Sequence, residues 1–447
     1  MSVLEKKIGK KSNINSMPNY SVDGSYCFFS QCIQLDALEA LDVRKVLDTP
    51  IDSEESVTAA LKVSPLLNHE VKHWYDAHST LWGLELLSSI YARRNDLIEA
   101  EKSGIGTDLS HFNLQMKLKD SIDLIKFPEY YSTLGQEYDA AKPWRFSPSF
   151  GILFSKNGTP SDRNICFTRF TDARGNLIAR VPFSLCALLE ASAVSQEINT
   201  KVALINSIPN PVSRALERNK LEQSTVNELY DENLVEYSVV AHKVANSFGL
   251  RDAIEAYAIS AKLVRFTLNL PFSFVQQLEP QKLLSKQFEV FFQPYKNALS
   301  FHDYGAIFSL LVDALVCNFQ NKGTIVSDKN VEKLIETLFK TNLGIEVSDI
   351  DESVRSQMSV LHTKEKYGDA TEYLKKSFSK GIELYETLGL FGNNYIDFAS
   401  TYLPDLILGD YTYISASGTP LQEFENRFNT MTSYYDYLIG FSKACVI

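Results

Sequence analysis

Residues 64–94 read SPLLNHEVKHWYDAHSTLWGLELLSSIYARR, and within them His69-Glu70-Val71-Lys72-His73 is an HExxH sequence. Residues four apart on an α-helix lie on one face, so both imidazoles can reach a single metal ion if the run is helical. The surrounding residues ask for a helix. Ser64-Pro65 suits a helix start, because proline is tolerated in the first turn. Leu84, Leu87, Ile90 and Tyr91 carry an apolar stripe onward, with a break expected near Gly83. Glu70 falls about 100° round the helix from His69. From there its carboxylate can take a proton from a water on the metal without itself becoming a ligand. Zinc lowers the pKa of such a water to about 7, so Zn²⁺ is the cofactor this pattern points to and Glu70 its general base.

Two histidines leave a catalytic zinc one protein ligand short. His78 does not supply it on the HExxHxxGxxH pattern, which would require glycine at Asp76 and histidine at Ser79. Glu85 lies too far along the same helix. Glu190, in ALLEASAVSQE, is the stronger candidate: it is set among Ala187, Ala191 and Ala193. A carboxylate on an apolar face is seldom left unpaired, and small neighbours allow two helices to approach closely. Glu197, two turns later on the same face, is placed to hydrogen-bond a ligand histidine, and Asp76 either orients an imidazole or faces water. A hydrolytic site also needs a donor for the developing oxyanion. Tyr237 and His242, in DENLVEYSVVAHKV, are the candidates, with Tyr237 preferred.

The string HEVKHWYDAHSTLWGLE resembles a segment of bacterial proteins in which HE-x-x-H-F/Y-x-Q/D is followed by T-x-x-G-L. The shared positions are His69, Glu70, His73, Asp76, Thr80, Gly83 and Leu84. A later E-x-x-A-x-x-x-E helix in those proteins is matched by Glu190, Ala193 and Glu197. The arrangement is similar to that of gluzincins, zinc metallopeptidases with two histidines from HExxH and a glutamate from a following helix. That resemblance implies a zincin-like helical core with His69, His73 and Glu190 as ligands. Lys72, Trp74 and Asp76 depart from the bacterial pattern, and Val194 stands where a gluzincin has aspartate.

The rest of the chain is ordinary globular sequence: 447 residues, 45% hydrophobic and 22% charged. That excludes wholesale disorder and collagen-like repeats. Lys+Arg 44 against Asp+Glu 55 gives a net charge of −11, with no basic stripe, so nucleic acid is not an expected partner. Tyr304 to Phe319 is the longest apolar stretch, and it is too short to span a bilayer. Residues 1–33 are expected to be an irregular, basic leader with no apolar segment behind it, and the six scattered cysteines to be free thiols. Both fit a cytoplasmic protein.

ICFTRFTDARGNLIARVP (165–182) reads as two strands around a turn at 172–176, within a β insert at about 142–182. Ser184 is a plausible N-cap for the helix that bears Glu190. Beyond residue 208 nearly everything reads helical. The expected architecture is therefore mainly α (α+β). It comprises a metal-site domain over 34–207 and a large helical C-terminal region over 208–447. The expected activity is zinc-dependent hydrolysis of a peptide or protein, with the 165–181 hairpin offering an edge for an extended substrate. The alternative is a non-catalytic helical interaction protein with a structural or vestigial metal site.

Overall fold

The computed structural model describes residues 23–48, 53–103, 109–154, 158–363, 367–392, 404–415 and 418–444. Most of the leader and Cys445 lie outside them. The fold is mainly α with two small sheets. The helices of eight residues or more are α1 (Ala40–Asp48), α2 (Glu54–Ser79), α3 (Leu81–Ser103), α4 (Leu109–Asp123), α5 (Leu185–Asn206), α6 (Pro211–Leu229), α7 (Val235–Phe248), α8 (Ala253–Leu268), α9 (Glu289–Leu299), α10 (Tyr304–Asn318), α11 (Val331–Leu338), α12 (Val347–Thr363), α13 (Thr371–Leu388) and α14 (Leu421–Ala444). The strands are β1 (Ser25–Cys27), β2 (Cys32–Leu35), β3 (Thr133–Leu134), β4 (Arg145–Phe154), β5 (Pro160–Thr171), β6 (Leu177–Pro182), β7 (Asp405–Leu408) and β8 (Tyr413–Ile414).

The HExxH helix starts earlier than Ser64. Ser53 and Ser56 exchange side-chain and backbone hydrogen bonds in a capping box, so α2 begins at Glu54 and Pro65 lies inside it. Pro65 has no N–H to donate to the Leu61 carbonyl, yet the helix continues to Ser79. The break also falls earlier than expected, at Thr80, which is extended (φ −122°, ψ 153°). Thr80 Oγ1 donates to the Asp76 carbonyl at 2.6 Å and accepts from Gly83 N at 3.2 Å, so it ends one helix and caps the next. Gly83 is required there, because a Cβ would lie 2.3 Å from the Ala77 carbonyl oxygen. Buried Arg265 on α8 secures the joint by donating to Ser79 Oγ at 3.0 Å and Ser79 O at 3.1 Å.

Ser184 caps α5, accepting from Ala187 N at 3.0 Å. Helix α5 packs antiparallel along α2, as the pairs Asn68–Thr200 (2.8 Å) and His69–Glu197 (3.2 Å) record. Its other faces meet α7 and α8. The insert sheet has the order β3-β6-β5-β4, all antiparallel, with Asp172 holding the β5–β6 turn by accepting from the Arg174 and Asn176 amides.

The second sheet is a correction to the irregular leader. Residues 25–27 and 32–35 form a hairpin, and β2 pairs in parallel with β7 from the far end of the chain, giving the order β1-β2-β7-β8. The hairpin is pinned by its own buried loop: Gln31 (φ +53°) accepts from Tyr373 OH at 2.9 Å, and Tyr91 OH donates to the Phe29 carbonyl at 2.9 Å. One apolar core joins Leu84, Ile178 and Leu189 to Val239, Leu263 and Leu311, so it runs uninterrupted past residue 208. No helix among the described residues is long and apolar enough to cross a membrane.

Candidate metal centre

The antiparallel seating of α5 on α2 brings Glu190 opposite both histidines of the motif. His69 Nε2 lies 3.3 Å from Glu190 Oε2, and His73 Nε2 lies 3.7 Å from Glu190 Oε1. One ligand atom from each of His69, His73 and Glu190 falls within 4.8 Å of the others, and this is the one such group among the described residues. Glu190 is 4% exposed and His73 2%. The Glu190 Oε2 atom is buried without a hydrogen-bond partner, and no lysine or arginine pairs with this carboxylate among the described residues. Two imidazole nitrogens and a carboxylate, converging in a buried setting with that oxygen unsatisfied, fit a borderline-soft divalent cation.

Glu197 is brought to the site as expected for a supporting residue. Its Oε2 lies 3.2 Å from His69 Nδ1, while its Oε1 accepts from Lys201 Nζ at 2.6 Å. Burial works against its charge, but His69 and Lys201 together hold the Glu197 carboxyl down to about 2. Lys201 escaped the sequence reading, although its position four residues after Glu197 on one helix was a usable signal.

Asp76 does something else. It forms a buried ion pair with Lys72, one turn earlier on α2, and His73 Nδ1 is left without a hydrogen-bond partner. Of the two roles expected for Asp76 it takes neither, since it bonds no imidazole and is fully buried from water. Lys72, which departed from the resembling pattern, is what occupies it.

Glu70 is 6% exposed and lines the same cleft as the three candidate ligands. Burial pushes its carboxyl up to about 8; His69 opposes the rise, and the charges of Glu190 and Glu197 add to it. Burial works against the charge of the His69 imidazole, yet the adjacent carboxylates of Glu190 and Glu197 raise it well above its ordinary range. That of His73 is lowered well below it, by burial and then by the charges of His69 and Lys72. Gly24, just before β1, sits directly on Glu70: a Cβ there would lie 3.0 Å from both Cγ and Oε1. Nothing in the local sequence marks Gly24, because the contact exists only in the folded chain.

The cleft over these residues has a volume of about 490 Å³. Leu61, Pro65 and Leu66 of α2 form one wall, and Val194, Leu234 and Tyr257 another, with Tyr237 also lining it. His242 is remote: it is buried, stacks on Trp144 and donates to the Leu229 carbonyl at 2.6 Å. His78 is likewise structural, stacked on Trp74 and bonded to its carbonyl at 2.8 Å. The 165–181 hairpin contributes no residue to the cleft. The strand edge that borders it is β1 instead, through Ser25 and the preceding Asp23 and Gly24, and among the described residues β1 pairs with β2 alone.

No family model, no curated protein and no solved structure matches the chain.

Proposed function

We propose that this chain is a zinc-dependent hydrolase, most simply a metallopeptidase acting on a peptide or protein in the cytoplasm. The observation that carries the reading is the convergence of His69, His73 and Glu190 at the floor of a cleft that also exposes Glu70. A zinc ion held there supplies Lewis-acid activation of water and of a substrate carbonyl. His69 and His73 present their Nε2 atoms, and Glu190 its carboxylate. Glu197 fixes the ring and tautomer of His69 from the far side, with Lys201 holding Glu197 in turn. Glu70 is the proton acceptor. Burial holds its carboxyl at about 8, and with a divalent cation bound nearby Glu70 would be ionised and able to take a proton at neutral pH. Tyr237, which lines the cleft, is the residue we assign to donate its hydroxyl to a developing oxyanion. The side of β1 away from β2, without a strand neighbour among the described residues, is where an extended peptide would pair.

The test is cleavage of a mixed peptide library by zinc-loaded protein beside Glu70→Gln. A catalyst cleaves as wild type and loses turnover in the variant while both retain zinc. The close seat of Gly24 on Glu70 favours the rival, an interaction protein keeping a structural metal. The rival predicts zinc in both proteins and cleavage by neither.

A further inference from the structure

The two faces of the insert sheet differ in character. Phe170, Ala179 and Val181 belong to the main core on one side. On the other, the register sets Ser147 of β4 and Arg180 of β6 against Arg169 of β5, and Arg145 stands two residues before Ser147 on the same face. Arg145 and Arg169 are exposed, and Arg180 is half-buried. Arg169 and Arg180 are thus like charges directly opposite each other on neighbouring strands, which is destabilising by itself. Among the described residues none of these three arginines forms an ion pair. The strands offer them little: β4 and β6 contain no acidic residue, and the one in β5 is Asp162, close to its start.

Arg180 is held in place by stacking. Its guanidinium lies 3.5 Å from the centre of the Phe167 ring. It reaches across β5 as far as β4, where a Cβ on Gly151 would stand 3.2 Å from Arg180 Nη2 and 2.7 Å from the Phe167 ring. Gly151 therefore makes room for the stack. Desolvation lowers the pKa of Arg180, and no neighbouring carboxylate opposes it. Stacking occupies one flat side of the guanidinium and leaves its in-plane N–H groups free to donate. The ring of Tyr131 lies 6.2 Å from that of Phe167, and next to it, at 4.6 Å, is the ring of Tyr130, a residue 67% exposed. Arginine and tyrosine are enriched among the residues that carry binding energy at protein interfaces.

We propose that this sheet face docks a short acidic peptide segment of a partner protein, whose carboxylates are received by Arg180, Arg169 and Arg145. A guanidinium fork accepts a carboxylate through two parallel hydrogen bonds. The arginines are confined to one face of a chain whose net charge is −11. That confinement favours a short acidic segment over nucleic acid, whose phosphate chain would run past the arginines into the field of an acidic protein. No residue of this face lines the metal cleft, so the proposal is independent of what the metal centre does.

The experiment is fluorescence anisotropy of labelled hexaglutamate titrated with the full chain, beside labelled hexaglutamine and a labelled single-stranded oligodeoxynucleotide. Hexaglutamate is expected to bind at least ten-fold more tightly than either control, and to weaken about ten-fold between roughly 50 and 200 mM salt. Arg180→Ala and Arg169→Ala each weaken it by about ten-fold, the loss of one charge-assisted hydrogen bond. Arg218→Ala, which removes an arginine of α6 already paired with Glu222, leaves it unchanged. Arg169 is exposed, so Arg169→Ala decides the matter if Arg180→Ala fails to fold. No binding of hexaglutamate, full affinity in Arg169→Ala, or equal or tighter binding of hexaglutamine or the oligonucleotide overturns the proposal.

Discussion

His69 Nδ1 and Glu197 Oε2 lie 3.2 Å apart across the α2–α5 pair, which leaves the other ring nitrogen of His69 facing Glu190 at 3.3 Å. This imidazole is thus held from behind by one carboxylate and aimed at another. Orienting partners of this kind change metal affinity by about 10–100-fold when removed. Glu197→Gln is expected to weaken zinc by that factor, with a smaller loss in Lys201→Met, measured by competition with a chromogenic chelator. Unchanged affinity in Glu197→Gln would remove it from the site.

Zinc binding should release protons. His69 is raised well above its ordinary range and Glu70 to about 8, so both hold a proton in the metal-free protein at pH 7. A cation displaces the first and depresses the second, for a release of about one to two protons per zinc. Affinity therefore rises with pH through neutrality. Calorimetry in buffers of different ionisation enthalpy reads the number directly, and zero release contradicts this protonation scheme.

Gly24→Ala asks whether Glu70 must move freely. The new Cβ would meet Cγ and Oε1 of Glu70 at 3.0 Å, at the flexible end of a side chain. The fold and zinc content should survive, while kcat falls by roughly ten-fold as the carboxylate is displaced. An unchanged kcat would show that Glu70 has room to adapt. Tyr237→Phe should lower kcat by about 10²-fold with KM little changed, as expected when a donor acts mainly on the oxyanion.

Buried histidines away from the metal centre set an acid limit. His78 and His242 are each lowered from an ordinary 6.5 to about 4, first by burial, with the Trp74 and Leu229 carbonyls opposing. In the unfolded chain each takes up a proton near pH 6.5. Between pH 6.5 and 4 the unfolded state therefore binds more protons, and stability falls as pH falls; above pH 7 this effect vanishes. His242→Gln should flatten the dependence over that window by roughly 1 kcal/mol per pH unit, read from denaturant melts. A variant with the wild-type slope would show that His242 titrates normally.

The candidate centre was legible in sequence because its parts are local and periodic. The HEVKH spacing puts two imidazoles on one helical face, and Glu190 among alanines marks a carboxylate on a close-packed helix. Glu197 follows from the same periodicity. What lay hidden depends on contacts between distant segments. The pairing of residues 32–35 with 405–408 leaves no local trace, so neither the β1 edge beside the cleft nor the seat of Gly24 on Glu70 is visible in the sequence, whereas the hairpin that local patterning does reveal, at 165–181, lies outside the cleft lining. Asp76 was ambiguous because its partner Lys72 and the imidazole of His73 are both within one turn of it; the ion pair prevailed. Pro65 was misleading for a different reason, since the Ser53–Ser56 box starts the helix upstream and packing carries it through the proline.

His69, His73 and Glu190 are the residues proposed to hold one zinc ion. Elemental analysis of metal per chain tests it most directly, on protein purified without added metal, with wild type beside His73→Ala and Glu190→Ala. One zinc is expected in wild type and none in either variant, each still folded by circular dichroism. A wild type that takes up no zinc even when zinc is offered, or a Glu190→Ala variant that keeps it at full occupancy, would contradict that assignment.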